Sequence, residues 1–203
     1  MLEKPATVDH TIHPLLRGRW SPRAFDPAPL PREQVLSLLE AARWSPSSNN
    51  GQPWSFVVIP RTDLDAFDRA VSSLNESNVV WAQQAPLLIL AVARLNRDNG
   101  APNRTALYDL GQAVAHLSVQ AAASGLWVHQ MGGFSQDRAR ELFAVPEGYE
   151  PVTFIAIGRQ GDPALLPENL REREEAPRTR KPLDAFAFGG EWGQPSPLLD
   201  GQE

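Results

Sequence analysis

The apolar run from Ala85 to Ala93 most constrains how this 203-residue chain can fold. A transmembrane helix needs about 20 apolar residues, so the run is far too short to cross a bilayer. Its Leu, Ile and Val residues follow one another without the polar alternation of a half-exposed strand. We therefore predict a central strand over Pro86 to Ala93 that is buried on both faces, so that both faces of a sheet have to be covered.

Helical and strand-like segments alternate around this strand. Apolar periodicity and capping residues predict helices over 31–44, 64–74, 103–125 and 135–143, with Asn103 as an N-cap and Gly125 as the C-terminal glycine. Strands are predicted over 54–59, 127–131 and 152–157. Breaks are predicted at 75–78 and at Gly132-Gly133. Helices outnumber strands, which favours a single α+β or α/β domain over residues 1–203. The polar stretch from Gln160 to Pro182 has no clear period and is predicted to be a long arm or a surface connection.

Composition and charge exclude several classes of site. The chain has no cysteine, which excludes disulfides, thiolate nucleophiles and iron–sulfur ligation. Its four histidines lack metal-ligand spacing, so no metal site is expected. A net charge of −5 without charged blocks gives no reason to expect nucleic acid or an anionic membrane as partner. With no apparent leader or spanning segment, a cytoplasmic location is expected.

The first cluster of candidate ligand-binding residues is Arg19-Trp20-Ser21-Pro22-Arg23. In an extended chain Arg19, Ser21 and Arg23 share one face, where two guanidiniums flank a hydroxyl. Such a set suits a phosphate or the edge of a flavin, because it offers several charge-assisted donors. A solvated basic loop is the alternative interpretation.

The second cluster is the polar loop from Ser45 to Trp54, between an apolar helix and an apolar strand. Asn50 and Gln52 offer both donors and acceptors, which suits the pyrimidine edge of an isoalloxazine better than a bare phosphate. An ordinary turn is the alternative.

The third cluster is Arg178-Thr179-Arg180-Lys181, a cationic patch that suits a phosphate monoester. Pairing with Glu172, Glu174 and Glu175 is the alternative interpretation. Gly132-Gly133 lets backbone amides approach a planar ligand closely, or simply forms a tight turn.

Taken in order, these clusters resemble the nitroreductase family of FMN oxidoreductases, over roughly Leu15 to Leu183. The resemblance rests on an opening Arg-Trp-Ser-Pro-Arg-Ala-Phe element (19–25), the Ser-Pro-Ser-Ser-Asn-Asn-Gly-Gln-Pro-Trp loop (45–54), Asn-Arg-Thr-Ala-Leu-Tyr-Asp-Leu-Gly-Gln (103–112), Gly-Leu-Trp (125–127), Met-Gly-Gly-Phe (131–134), Phe-Ile-Ala-Ile-Gly (154–158) and Arg-Thr-Arg-Lys-Pro-Leu (178–183).

The resemblance implies a mixed sheet flanked by helices in an intertwined homodimer, with FMN at the subunit interface and a C-terminal arm, about 160–203, that wraps the partner. It implies that Arg19, Ser21, Arg178 and Arg180 hold the FMN phosphate and that Arg23 reaches the ribityl chain and the ring. The other residues that it places at the cofactor are Trp20, Pro46, Ser47, Ser48, Asn50, Gln52, Asn78, Met131, Gly132 and Gly133. The polar loop would come from the second subunit.

The activity implied is hydride transfer from NADH or NADPH through FMN to a small electron-poor acceptor, such as a nitroaromatic or a quinone, by a ping-pong mechanism. No proton donor is assigned, because the flavin carries the redox chemistry. Trp81 aligns where better-known members place a second basic group. A specialised enzyme of the same fold, such as a dehalogenase or dehydrogenase, and a non-enzymatic FMN-binding protein remain the alternatives.

Overall fold

A four-stranded sheet forms the centre of the computed structural model, which describes residues 2–199. The strands are β1 (Trp54–Pro60), β2 (Leu87–Arg94), β3 (Trp127–Met131) and β4 (Tyr149–Gly158). Their order in the sheet is β1-β2-β4-β3, and each neighbouring pair is antiparallel. β1 and β3 are therefore the two edges of the sheet, and the predicted strands at 54–59, 86–93, 127–131 and 152–157 are all confirmed.

The apolar run forms a strand that is covered on both faces, as predicted. Leu88, Leu90 and Val92 of β2 pack into one core cluster. Leu87, Ile89, Ala91 and Ala93 pack into a second cluster on the opposite face. Because successive strand residues point to opposite faces, an uninterrupted apolar sequence is what a strand between two helical layers requires.

Within residues 2–199, seven α-helices surround the sheet: α1 (Pro14–Gly18), α2 (Arg32–Arg43), α3 (Leu64–Ser73), α4 (Glu76–Ala82), α5 (Ala106–Ala123), α6 (Gln136–Leu142) and α7 (Glu168–Glu175). Buried residues of α2 and α5 cover one face of the sheet. Buried residues of α3, α4, α6 and α7 cover the other face. The result is a three-layer arrangement with the sheet in the middle.

Three predicted boundaries are wrong for local reasons. α4 begins at Glu76, so the break between α3 and α4 consists of Leu74 and Asn75 rather than of residues 75–78. α5 begins at Ala106 rather than directly after Asn103, whose Oδ1 accepts hydrogen bonds from Thr105 N–H and Oγ1. α7 lies inside the stretch predicted to be irregular. It buries only Leu170 and Glu174, so its sequence shows no apolar period.

The α+β class and the sheet flanked by helices are confirmed. The four described strands pair antiparallel throughout, whereas the resemblance implied a mixed sheet. Gly125 has φ +67 and follows α5 as predicted, which is the left-handed position that favours glycine. Across residues 2–199, no helix combines the length and the apolar character that crossing a membrane requires.

The N-terminal segment and the residues after β4 pack against each other in the chain. Leu2 exchanges two hydrogen bonds with the Gln160 side chain, at 2.9 and 3.0 Å. Lys4 Nζ donates to the carbonyl of Glu174 in α7. The predicted arm thus begins by contacting its own chain, and its last four residues, 200–203, lie outside the described part.

Candidate functional site

Three arginines from two distant parts of the sequence meet at one cavity. Arg19, Arg178 and Arg180 line a cavity of about 620 Å³, the arginine cavity, together with Lys181 and the N-terminal segment. None of the three arginines forms a salt bridge with a carboxylate of residues 2–199, although Asp9 also lines the cavity. Arg19 of the first predicted cluster is therefore brought together with the third cluster, and the three arginines have no carboxylate partner in the described part of the chain.

The environment of Arg19 and Arg178 disfavours their positive charge. Burial lowers the pKa of Arg19, and the nearby charge of Arg180 lowers it further. Burial likewise lowers the pKa of Arg178, with added contributions from Arg19 and Arg180. Like charges crowded at a partly buried site are stabilised when an anion binds among them, so the cavity is suited to a phosphate group.

Arg178 is held in place by backbone carbonyls. Its Nη1 donates to the carbonyls of Lys4 and Arg17, at 2.8 and 2.9 Å. The N-terminal segment is itself tied to the same region, because Ala6 N–H donates to the carbonyl of Arg17 at 2.9 Å. Arg180 Nη1 donates to the neighbouring carbonyl of Thr179. The guanidinium of Arg178 is thus oriented by the chain before any ligand arrives.

The segment from Arg19 to Arg23 divides into buried and accessible residues. Trp20 is only 6% exposed and lies beneath Lys4 Nζ, which is 4.7 Å from the ring centre. Its side chain therefore belongs to the core. Ser21 and Arg23 are half-buried beside it. Burial lowers the pKa of Arg23, with a smaller lowering by Arg173 and an opposing contribution from Glu174.

A buried carboxylate from α7 holds this segment. Glu174 is 1% exposed and accepts hydrogen bonds from Arg23 N–H, at 2.8 and 3.0 Å, and from Ala24 N–H at 3.1 Å. Its Oε2 also lies 3.8 Å from Arg23 Nη1. The alternative interpretation, in which the late cationic patch pairs with Glu172, Glu174 and Glu175, is therefore wrong for Glu174. This carboxylate accepts hydrogen bonds from the early segment instead.

A histidine from β3 holds the same segment from another side. His129 Nδ1 lies 2.8 Å from the carbonyl oxygen of Pro22, and its ring centre lies 4.4 Å from that of Trp81, with the two rings tilted by 35°. Burial lowers the pKa of His129 to about 4, against a partial rise from the Pro22 carbonyl. The imidazole is therefore neutral at physiological pH, and its Nδ1–H donates to Pro22.

The Met131-Gly132-Gly133 stretch leaves the end of β3 without forming a tight turn. Met131 is 2% exposed and belongs to the core. The carbonyl of Gly133 accepts from Asn75 N–H and from Asn78 Nδ2, both at 3.0 Å. The N–H groups of the two glycines donate to no acceptor within residues 2–199. Asn78 therefore holds the Gly133 carbonyl in place, beside the two N–H groups that lack an acceptor within residues 2–199.

The polar loop from 45 to 53 has a strained backbone. Asn49, Asn50 and Gln52 have φ values of 52, 54 and 43, which lie in the left-handed region. Few non-glycine residues adopt this region, and clusters of them concentrate at binding sites. Within the loop, Gln52 N–H donates to Ser47 Oγ at 3.0 Å and Gln52 Nε2 donates to the Asn50 carbonyl at 3.1 Å.

The loop is anchored to the start of α5 by a buried acid. Asp109 is 2% exposed, and its Oδ2 accepts from Ser48 N–H at 3.2 Å and from Thr105 Oγ1 at 3.1 Å. Pro46, Asn50 and Gln52 are exposed, whereas Ser47 and Ser48 are half-buried. The predicted loop residues thus form one accessible polar surface.

The loop and the arginine cavity lie far apart in one chain. The loop precedes β1 and the Arg19 segment packs beside β3, and these strands are opposite edges of the sheet. Ser48 contacts Asp109 near the start of α5. Arg19, by contrast, lines a second cavity together with Ala122, which lies near the end of the same helix. At about 1.5 Å per residue, Asp109 and Ala122 are about 20 Å apart along the helix.

One aligned position and three missed residues need correction. Trp81 is 1% exposed in the core, so it cannot present a group to a ligand as the alignment suggested. Asp109, His129 and Glu174 were not selected from the sequence, although each fixes a backbone segment of the site. Each acts over a long sequence separation, and no local pattern marks such contacts.

Comparisons with known proteins show the family of the chain. A family model described as "Nitroreductase family" matches residues 16–159. A Mycolicibacterium smegmatis protein named "Uncharacterized 15.4 kDa protein in ask 5'region" is 38% identical over 141 residues, which cover 66% of this chain and 92% of that protein. The Bacillus subtilis (strain 168) protein named "Putative NAD(P)H nitroreductase YdgI" is 26% identical over 183 residues, covering 73% of this chain and 88% of that protein.

A solved structure described as "The crystal structure of the oxidoreductase containing FMN" is similar over nearly the whole chain. Its TM-score is 0.88 at 38% sequence identity, covering 93% of this chain and 96% of that one. The family model spans well over half of the sequence and includes the opening segment, the polar loop and the glycine pair. The chain belongs to the nitroreductase family.

Proposed function

We propose that this protein is an FMN-dependent oxidoreductase that takes hydride from NADH or NADPH and passes it to a small electron-poor acceptor. The observation that carries the proposal is the cavity at which Arg19, Arg178 and Arg180 meet without carboxylate partners among residues 2–199. Membership of the nitroreductase family, and the 38% identical oxidoreductase that contains FMN, support FMN as the ligand of that cavity.

The donor set around the cavity fits the phosphate monoester of FMN. Three guanidiniums offer charge-assisted hydrogen bonds, and the carbonyls of Lys4 and Arg17 already orient one of them. Ser21, half-buried in the adjoining segment, adds a hydroxyl. Arg19, Ser21, Arg178 and Arg180 are therefore the residues that we assign to the phosphate.

The ring of the cofactor would meet a different set of groups. Arg23 does not line the arginine cavity, and it follows Ser21 along the segment toward β3. The uncommitted N–H groups of Gly132 and Gly133 lie at the end of that strand. We assign these groups to the polar edge of the isoalloxazine, together with Asn78, which supports Gly133.

We further propose that each site is completed by the polar loop of a second chain. Ser47, Ser48, Asn50 and Gln52 suit the flavin by chemistry, yet their loop is at the opposite edge of the sheet from Arg19 and Arg23. A separation of about 20 Å along α5 argues against one chain supplying both regions to one ligand. A homodimer with two sites at its interface removes this difficulty.

FMN supplies the chemistry when bound, since its ring accepts and donates a hydride. The residues of this chain bind and orient the cofactor and shape its surroundings, so no acid–base residue is assigned. We propose that NAD(P)H and the acceptor, such as a nitroaromatic or a quinone, occupy the same cleft in turn. This order of binding corresponds to a ping-pong mechanism.

An absorbance spectrum from about 300 to 600 nm tests the proposal, with purified protein reconstituted with FMN and then mixed anaerobically with NADH or NADPH. We expect flavin bands that bleach rapidly with at least one donor. Bands that persist with both donors would indicate a non-enzymatic flavoprotein or a specialised enzyme of this fold. Absence of bands after reconstitution would overturn FMN binding itself.

Steady-state kinetics test the shared cleft. Varying NADPH at several fixed concentrations of a quinone is expected to give parallel double-reciprocal lines. Intersecting lines would contradict the ping-pong scheme and leave FMN binding unaffected.

A further inference from the structure

We propose that Glu174 is a positioning residue for the flavin site: its buried carboxylate holds the Arg23 peptide so that Ser21 and Arg23 face the ligand. The inference rests on the proposed function, because it concerns how the chain prepares that site. Glu174 belongs to α7, in the polar stretch beyond the part matched by the family model, which ends at residue 159.

The burial of this carboxylate is unusual for its surroundings. Glu174 is 1% exposed, whereas its helix neighbours Glu172, Arg173 and Glu175 are all exposed. A charged group is costly to bury unless hydrogen bonds replace its lost hydration. Its position therefore indicates a specific set of partners rather than general packing.

Those partners are backbone groups of the ligand-binding segment. Both carboxylate oxygens lie within hydrogen-bond distance of Arg23 N–H, at 2.8 and 3.0 Å, and one also accepts from Ala24 N–H at 3.1 Å. Backbone N–H groups in a chain that is not part of a sheet need an acceptor when they are buried. Glu174 supplies it from a position about 150 residues later in the sequence.

The same carboxylate also restrains the Arg23 side chain. Its Oε2 is 3.8 Å from Arg23 Nη1, and the Arg23 side chain is 20% exposed. One carboxylate thus fixes the backbone and limits the swing of the guanidinium. A flexible Arg23 would have to be ordered when the ligand binds, and that ordering would weaken binding.

His129 holds the peptide on the other side of this contact. Its Nδ1–H donates to the Pro22 carbonyl at 2.8 Å, while Glu174 accepts from the next two N–H groups. The short stretch from Pro22 to Ala24 is therefore held by hydrogen bonds to both β3 and α7. Of the two anchors, Glu174 carries the charge that reaches Arg23, so it is the one we assign to positioning.

The test compares Glu174→Gln with Glu175→Gln, its exposed neighbour on the same helix. Glutamine keeps the shape, but one carboxylate oxygen becomes an amide N–H₂ group that cannot accept from Arg23 N–H, and the charge near Arg23 Nη1 is removed. The dissociation constants of FMN and riboflavin are measured by fluorescence titration of the apoproteins, and thermal unfolding of each apoprotein is followed by circular dichroism.

We expect Glu174→Gln to weaken both FMN and riboflavin by about tenfold or more and by similar factors. The two ligands should respond alike because Arg23 lies outside the phosphate cavity. Arg178→Ala, measured in parallel, should weaken FMN much more than riboflavin. Glu175→Gln should leave both affinities unchanged.

A Glu174→Gln protein that binds both ligands as wild type does, even with a lower unfolding temperature, would overturn the positioning role and leave FMN binding intact. A wild-type protein that binds no FMN would instead overturn the proposed function. If Glu174→Gln fails to fold, Glu174→Asp is measured in its place. Its carboxylate is one methylene too short for both N–H groups, so the same loss for both ligands is expected, and unchanged affinities would overturn the role.

Discussion

The cationic segment around Arg19 and the polar loop before β1 are both rich in ligand-binding groups, yet they are held in different ways. The segment is held by distant residues: Glu174 and His129 form hydrogen bonds with its backbone, and Arg178 lies beside it at the cavity. The loop combines short-range hydrogen bonds of its own with a long-range contact to Asp109 of α5. Three of the loop residues also have φ values in the left-handed region, which the segment lacks. The segment therefore depends on tertiary contacts, whereas the loop depends on both local and tertiary contacts.

The two regions should therefore be sensitive to different substitutions. A region ordered by long-range contacts should lose binding when a remote partner is changed, because the remote group sets its geometry. The loop, where three residues have φ values in the left-handed region, should respond in addition to changes in its own backbone preferences.

Replacing both Arg19 and Arg178 with alanine should abolish most FMN binding. Each hydrogen bond to a charged group contributes about 1.5–3 kcal/mol, so the double variant should bind FMN about 100-fold more weakly or worse. Riboflavin, which lacks the phosphate, should be affected far less. Arg32→Ala is the control, because that side chain is 79% exposed and pairs with the adjacent Glu33. Equal losses for FMN and riboflavin would contradict the assignment of the cavity to phosphate.

Acidification should destabilise the segment through His129. Burial lowers the pKa of this imidazole from 6.5 to about 4, so the folded protein binds fewer protons here than the unfolded chain between those pH values. This contribution is complete above about pH 6.5 and is lost as the pH falls toward 4, amounting to about 3 kcal/mol.

Chemical denaturation of wild type and His129→Gln across this pH range measures the effect. The wild type should lose more of its free energy of unfolding than the variant as the pH falls, since the other histidines are common to both. Identical pH dependences would show that His129 is accessible to protons in the folded state.

The two glycines after β3 should respond differently to alanine. A Cβ at Gly133 would lie 2.8 Å from Asn78 Nδ2 and 3.2 Å from Asn75 Nδ2, whereas a Cβ at Gly132 would meet nothing within 4 Å. Gly133→Ala should therefore destabilise the apoprotein by about 1–3 kcal/mol, and Gly132→Ala should leave its stability nearly unchanged. Thermal unfolding gives the comparison. If Gly132 faces the ligand closely, its alanine variant should weaken FMN binding alone.

The loop should become slightly more stable when its strain is relieved. Gln52 has φ 43, and such a conformation costs about 1–2 kcal/mol for a residue with a Cβ. Glycine removes this cost but adds about 0.5–1 kcal/mol of unfolded-state entropy, so Gln52→Gly should stabilise the apoprotein by about 0.5 kcal/mol. It should at the same time weaken FMN binding, because the amide is lost. A lower unfolding temperature would argue against stored strain in the loop.

The sequence was informative wherever the controlling interactions are local. The uninterrupted apolar character of β2 predicted a doubly covered strand, and the clustering of amides and hydroxyls predicted the loop. The two arginine clusters can be recognised in the sequence because their members are adjacent. That they meet at one cavity was predicted only by the family resemblance.

The remaining features depend on contacts between distant residues. Glu174 resembles every other acid of a polar helix in sequence, and only the fold shows that it meets Arg23. His129 and Asp109 are likewise defined by backbone groups far along the chain. Trp81 aligned near the ligand, but its packing against Phe25 and His129 places it in the core.

The arginine cavity of one chain and the polar loop of another are proposed to bind the same FMN. Co-expression of two differently tagged variants tests this arrangement. One variant carries Arg19→Ala and Arg178→Ala, the other carries Asn50→Ala and Gln52→Ala, and the FMN content of the purified hybrid is measured. If two chains build each site, the hybrid has one doubly altered site and one intact site, so it should bind one FMN per dimer with wild-type affinity. If each chain builds its own site, every site in the hybrid carries an altered region, and no site of wild-type affinity should be found.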